Sequence, residues 1–273
     1  MNRLAICNEI FENLDFSQLC KRMSEIGYDG IEIAPFTIAK DVRTFPTDRR
    51  HEMKKIAQSH GLEIIALHWL LVSPLGLHIS SPDRQIYKHT LNYFKELITF
   101  GHDLGTKVLV LGSPAQRNID SAWDKESAMV QIVEFLREVG DTAEVNDIMI
   151  GFEPLGPQIT NVGGTTQDTL NLLTEVNHPN IKFHLDFSAM CRDPLPIDAQ
   201  IDLVDIDRLV HVHVNDPNQY GPGMGDLEIG PILHQLHDKG YKGWYSVETF
   251  AKGISPLQIA SESITNLKKY ISD

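Results

Sequence analysis

Eight short runs of β-branched and aliphatic residues recur along the chain: LAICNEI, GIEIAPF, LEIIALHWL, KVLVLGSP, IMIGFEP, IKFHLDF, LVHVHVND and GWYSVETF. Each is followed by a longer stretch. Phe16 to Ile26, Asp48 to His60, Asp83 to Leu104, Asp124 to Val139, Thr166 to Val176, Gly230 to Lys239 and Pro256 to Ile271 carry apolar residues at helical spacings of three and four. The segment RDPLPIDAQIDLVDIDRL after the sixth run holds a short helix at most. Strands alternating with helices imply parallel βαβ units.

Eight such units in 273 residues average about 34 residues each, the size of one βαβ repeat. The economical α/β architecture is a closed (β/α)8 barrel, a single catalytic domain over residues 1–273. An open doubly wound sheet is the alternative, but CNEIFENLDF after the first run lacks the Gly-rich phosphate turn such folds commonly carry. Two long loops, GPQITNVGGTT and NDPNQYGPGMGD, follow strands and so belong to the face where barrel active sites are built.

The formal charge of -13 opposes binding to polyanions, so no nucleic-acid partner is expected. Cys7, Cys20 and Cys191 form neither a CxxC pair nor an even disulfide set. The start, MNRLAICNEIF, is too short an apolar run for a signal peptide, and no stretch is long and apolar enough for a membrane span. A cytoplasmic protein is the expectation.

Strands five to eight each end on a ligand-type residue: Glu153, Asp186, His213 and Glu248. Alternation along each strand places Gly151, His184, His211 and Ser246 one layer below them. Three ionised carboxylates converging in a low-dielectric site repel unless a cation compensates. A lone residue of this kind is commonly a satisfied core or cap group, but four in register point to one divalent metal. Mn²⁺, Co²⁺ or Mg²⁺ suits three oxygens and a nitrogen, and Zn²⁺ also fits.

Other candidates surround this quartet. His68, in phase with Ile64 and Ala66, faces the site as a substrate donor or packs as a core histidine, and Glu32 reads equally as substrate-binding or as half of a structural ion pair. Ser113, Gln116 and Arg117 follow strand four and read either as holding an anionic or polyhydroxyl group or, for the arginine, as a plain loop residue, the latter favoured. Trp69 and Trp244 are candidates for an apolar wall, and GPGMGD for a closing loop or plain turns.

The quartet, with YDGIEI, ALHW, EPLG and HVHVND, resembles the xylose isomerase-like TIM-barrel superfamily of sugar isomerases and epimerases over essentially the whole chain. The resemblance implies that Glu153, Asp186, His213 and Glu248 bind one metal and that Glu153 and Glu248 are the acid/base pair of an isomerase or epimerase. Such an enzyme acts on a sugar, keto-sugar or related polyol through a metal-stabilised enediolate. The superfamily's ketose 3-epimerases carry a histidine where Ala189 stands and an arginine in the loop after strand seven; this chain has neither. Endonuclease IV shares the barrel, but its three-zinc site also needs a histidine at position 189 and an Asp-x-His pair after strand seven, so a nuclease is disfavoured. A dehydratase or lyase of a keto-polyol and a noncatalytic sugar-binding barrel are the remaining alternatives. Barrels of this kind often associate, so a homo-oligomer is compatible.

Depth separates the two histidines of HVHVND. His213 lies at the mouth with the metal ligands, while His211 lies below beside His184, and this lower pair is expected to support and orient the ligands.

Overall fold

The computed structural model describes residues 3–271. Eight parallel strands, β1 (Arg3–Cys7), β2 (Gly30–Ile33), β3 (Glu63–Leu67), β4 (Val108–Leu111), β5 (Met149–Phe152), β6 (Ile181–Asp186), β7 (Leu209–Val214) and β8 (Trp244–Val247), pair in sequence order. β8 closes onto β1, so the sheet is a barrel, and the doubly wound alternative falls.

The helices are α1 (Phe16–Ile26), α2 (Thr47–Ser59), α3 (Arg84–Leu104), α4 (Lys125–Val145) and α5 (Thr166–Val176), then α6 (Phe187–Met190), α7 (Ile197–Leu203), α8 (Ile229–Asp238) and α9 (Pro256–Leu267). The Pro-containing segment after β6 thus contributes one short helix, α7, while α6 precedes it directly after the strand. Asp15, Asp83, Asp124 and Thr165 cap α1, α3, α4 and α5 by accepting backbone N–H groups, which starts each helix cleanly after its loop. Among the described residues, no helix is long and apolar enough to cross a membrane.

The main core lies between sheet and helices, where Ile6, Ile33, Leu67, Phe152, Phe183 and Val247 meet apolar helix faces. A smaller cluster, Ala5, Ile65, Ala66, Val108 and Val110 with Val210 and Trp244 against it, packs separately, and its Val110 reaches up to line the cavity at the mouth. Two register shifts adjust the inward phase. Between β2 and β3, Ile31 pairs Ile64 but Glu32 pairs Ala66, leaving Ile65 as the extra residue. Ile64 therefore packs in the outer core, not in phase with His68 as alternation alone suggests. Between β6 and β7 the extra residue is Val210, and the shift brings His184 opposite His211 and Asp186 opposite His213.

Candidate active site

The quartet converges. Glu153, Asp186, His213 and Glu248, all buried, each bring one ligand atom within 4.8 Å of the others. They do so from the C-terminal ends of β5 to β8, where the chain leaves the sheet and side chains reach the mouth. Gly112, at the end of β4, leaves the room this requires: a Cβ there would lie 2.2 Å from Glu153 Oε2.

Asp186 is held twice. It caps α6 by accepting the Ala189 N–H at 2.6 Å, and its other oxygen accepts from Asn215 Nδ2 at 2.6 Å. Asn215 in turn accepts the Ser188 N–H at 2.8 Å, so the start of α6 and the end of β7 lock the carboxylate's rotamer. Sequence reasoning gave Asn215 no role, although it lies within HVHVND.

Beneath the quartet runs a buried network. Glu32 accepts from His211 Nε2 at 2.8 Å and from His213 Nε2 at 3.0 Å. Glu32 is therefore the structural ion pair of its two readings, and it does not line the cavity. Because a carboxylate only accepts, this bond places a proton on Nε2 and leaves Nδ1 as the nitrogen that faces the other three members of the quartet. His213 Nδ1 lies 3.3 Å from Glu248 Oε2. His184 and His211 rings lie 5.5 Å apart, and His184 Nε2 approaches Glu153 Oε1 at 4.0 Å.

His68 lines the cavity, and its Nε2 meets Glu9 at 3.0 Å. Glu9 was not expected: it sits in the irregular loop after β1, where no periodicity marks a direction. Arg117 does not reach the cavity. Fully buried, it donates to the Leu111 and Glu153 backbone carbonyls at 3.2 and 2.7 Å and stacks 4.5 Å over Phe152. Gln116 also lies outside the cavity wall. Both follow Ser113, whose φ of 41° puts a left-handed residue at the start of the short turn that carries them.

The cavity above the quartet has a volume of about 200 Å³. Trp69, 40% exposed, and Phe250 stand at its rim with ring centroids 5.7 Å apart; Trp244 is at the opposite end of the barrel, under Arg3, and forms no part of this wall. Arg192 and Ser113 also line it. Of five non-glycine residues with positive φ among those described, three (Trp69, Ser113 and Gln219) line this cavity, a concentration of backbone strain typical of functional sites. Within GPGMGD, Gly221 packs on Ser263 and Gly223 on Asn266, both of α9, Gly225 packs on Asp216, and none of the three lines the cavity.

The electrostatics fit a divalent cation. Burial and then the neighbouring Glu248 and Asp186 carboxylates push Glu153 up to about 8. Burial and then Glu248 push Asp186 up to about 6. His213 is raised well above its ordinary value: burial opposes this, but Glu32 and Glu248 outweigh it. A cation among these groups would relieve the carboxylate repulsion and take the place of the His213 Nδ1 proton beside Glu248.

A family model described as the xylose isomerase-like TIM barrel matches residues 20–270. The chain belongs to the xylose isomerase-like TIM-barrel family. Within the wider similarity, it is 25% identical over 238 residues to the D-psicose 3-epimerase of Enterocloster bolteae, covering 86% of this chain and 77% of that protein. It is 23% identical over 248 residues to the fructoselysine 3-epimerase of Shigella flexneri, covering 87% and 86%. The fold superposes on the 3-keto-D-glucoside 4-epimerase of E. coli with a TM-score of 0.85 at 18% identity, covering 98% of this chain and 100% of that one.

Proposed function

We propose that this chain is a divalent-metal-dependent epimerase or isomerase of a sugar, keto-sugar or related polyol, working by proton abstraction next to a carbonyl. The observation that carries the reading is the placement of Glu153 and Glu248 in one buried cluster with Asp186 and His213 at the floor of the cavity. Family membership and the sugar epimerases among the relatives support it.

Glu153, Asp186, His213 and Glu248 would hold the cation, with Mn²⁺, Co²⁺ or Mg²⁺ the best match to the donor set. Bound there, it supplies Lewis-acid polarisation of the substrate carbonyl and its neighbouring hydroxyl.

The chain's own residues do the rest. One glutamate takes the carbon-bound proton and the other returns it, to the opposite face for epimerisation or to the adjacent carbon for isomerisation. Glu32 fixes the His213 ring, and Asn215 with the Ala189 N–H fixes Asp186, so the carboxylates need not reorganise during the reaction. His68, held by Glu9, offers a polar group on the cavity wall, and Trp69 with Phe250 covers the carbon face of the sugar.

The test is exchange of a carbon-bound proton with deuterated solvent across a panel of ketoses and aldoses, using metal-loaded protein. Glu153→Gln and Glu248→Gln are each expected to abolish exchange with the fold intact. Undiminished exchange in either variant removes that glutamate from the chemistry. A lyase acting from the same abstraction step would instead release a dehydrated product.

A further inference from the structure

Among the described residues, Arg192 is the only Lys or Arg side chain on the cavity wall, in a chain of net charge -13. It is half-buried, and among the described residues no carboxylate lies within ion-pair distance of it. The adjacent Asp193 is committed elsewhere, accepting the Thr166 and Leu195 N–H groups at 2.7 and 2.9 Å. Asp216, also on the wall, has both oxygens occupied by the Asn218 and Leu227 N–H groups.

Its position is built rather than incidental. Nη2 donates to Ser188 Oγ at 2.9 Å; Ser188 is tied through its N–H to Asn215, which binds Asp186. The guanidinium is thus in register with a member of the metal cluster. On the other side Gly156, at φ +92°, brings the loop after β5 against the arginine stem. A Cβ there would sit 2.5 Å from Arg192 Cβ. One nitrogen is engaged with a neutral hydroxyl, and among the described residues the remaining donors of the planar fork have no acceptor.

A substrate closing over this group removes its water. A neutral hydroxyl would leave the covered charge uncompensated, whereas a carboxylate or phosphate matches both its charge and its forked geometry. We propose that Arg192 binds an anionic group, a carboxylate or a phosphate, carried by the sugar substrate. This assignment rests on the enolising reading of the cavity and names the class of substrate it takes. It moves to Arg192 the anion-holding role that sequence suggested for Arg117.

The experiment compares solvent exchange on a neutral ketohexose, its terminal phosphate ester and its terminal uronate, using metal-loaded wild type, Arg192→Gln and Arg192→Lys. Loss of one charge-assisted contact is worth about 10- to 100-fold in kcat/KM. Wild type is expected to favour at least one anionic sugar by that factor. Arg192→Gln is expected to erase the preference, its loss on the favoured anionic sugar exceeding its loss on the neutral one by that factor, and Arg192→Lys to restore part of it. The preferred ester or uronate identifies the anion. Exchange on the neutral sugar as fast as on both anionic ones, or an equal loss on all three in Arg192→Gln, overturns the assignment while leaving the glutamate pair standing. Calorimetric binding of inorganic phosphate and of acetate provides a readout without turnover. Weaker binding of at least one of them to Arg192→Gln is expected, and equal binding of both to the two proteins overturns the proposal even if no sugar exchanges.

Discussion

Glu32 Oε1 accepts a hydrogen bond from His213 Nε2 at 3.0 Å, across the barrel from β2 to β7. That bond, with its partner to His211, joins the buried acid of the second strand to the candidate metal ligand of the seventh. Substituting Glu32→Gln removes no ligand but weakens the hold on the ring. Metal affinity is expected to fall about 10- to 100-fold, as for other supports of ligating histidines. Competition with a chelator measures it, and unchanged affinity would show that the bridge is only structural.

The same geometry makes the two histidines of β7 unequal. His213→Ala should abolish tight metal binding, whereas His211→Ala should lower stability and leave binding largely intact. Equal loss of metal in both variants would contradict the layering.

A methyl group tests the mouth of β4. Gly112→Ala introduces a Cβ that meets Glu153 Oε2, and the carboxylate must move. Gly112 is not in the left-handed region, so its backbone tolerates alanine. Exchange activity should drop sharply while thermal unfolding stays close to wild type; full activity would show that Glu153 has slack the close approach denies.

Arg117 offers a contrast in kind. Its guanidinium ties two backbone carbonyls in the interior, so Arg117→Met should cost about 2–4 kcal/mol in denaturant unfolding, from the lost charge-assisted bonds and unpaired carbonyls. A changed KM at unchanged stability would instead return Arg117 to the substrate.

Stability without metal carries a pH signature. Glu153 in the fold is raised from an ordinary 4.5 to about 8, so the folded state holds the proton more tightly than the unfolded chain. Its contribution is complete below pH 4.5 and is lost as pH rises towards 8. Metal-stripped wild type should therefore lose stability relative to Glu153→Gln across that window, and added metal should reverse the loss. A difference that stays flat with pH would count against the convergence of the carboxylates.

The barrel and its quartet were legible because both follow from periodicity: strand-helix alternation set the architecture, and one polar residue per strand end set the site. What periodicity does not encode was missed or misplaced. Ile65 and Val210 are extra residues that shift register, which no alternation pattern shows. Glu9, Arg192 and Phe250 sit in irregular segments outside the strands, where direction is decided by contacts distant in sequence. Arg117 and Arg192 look alike as loop arginines. The Leu111 and Glu153 carbonyls hold one in the interior, and the Ser188 contact holds the other on the cavity wall.

The most direct measurement titrates Mn²⁺ into metal-stripped protein while following bound metal and solvent proton exchange on a reactive ketose together. The expected result is exchange that is absent at the start, rises with occupancy and saturates at one ion per chain, with Glu153→Gln inactive at full loading. Exchange that persists without metal, or none on any sugar with the quartet loaded, would contradict metal-dependent proton abstraction at this site.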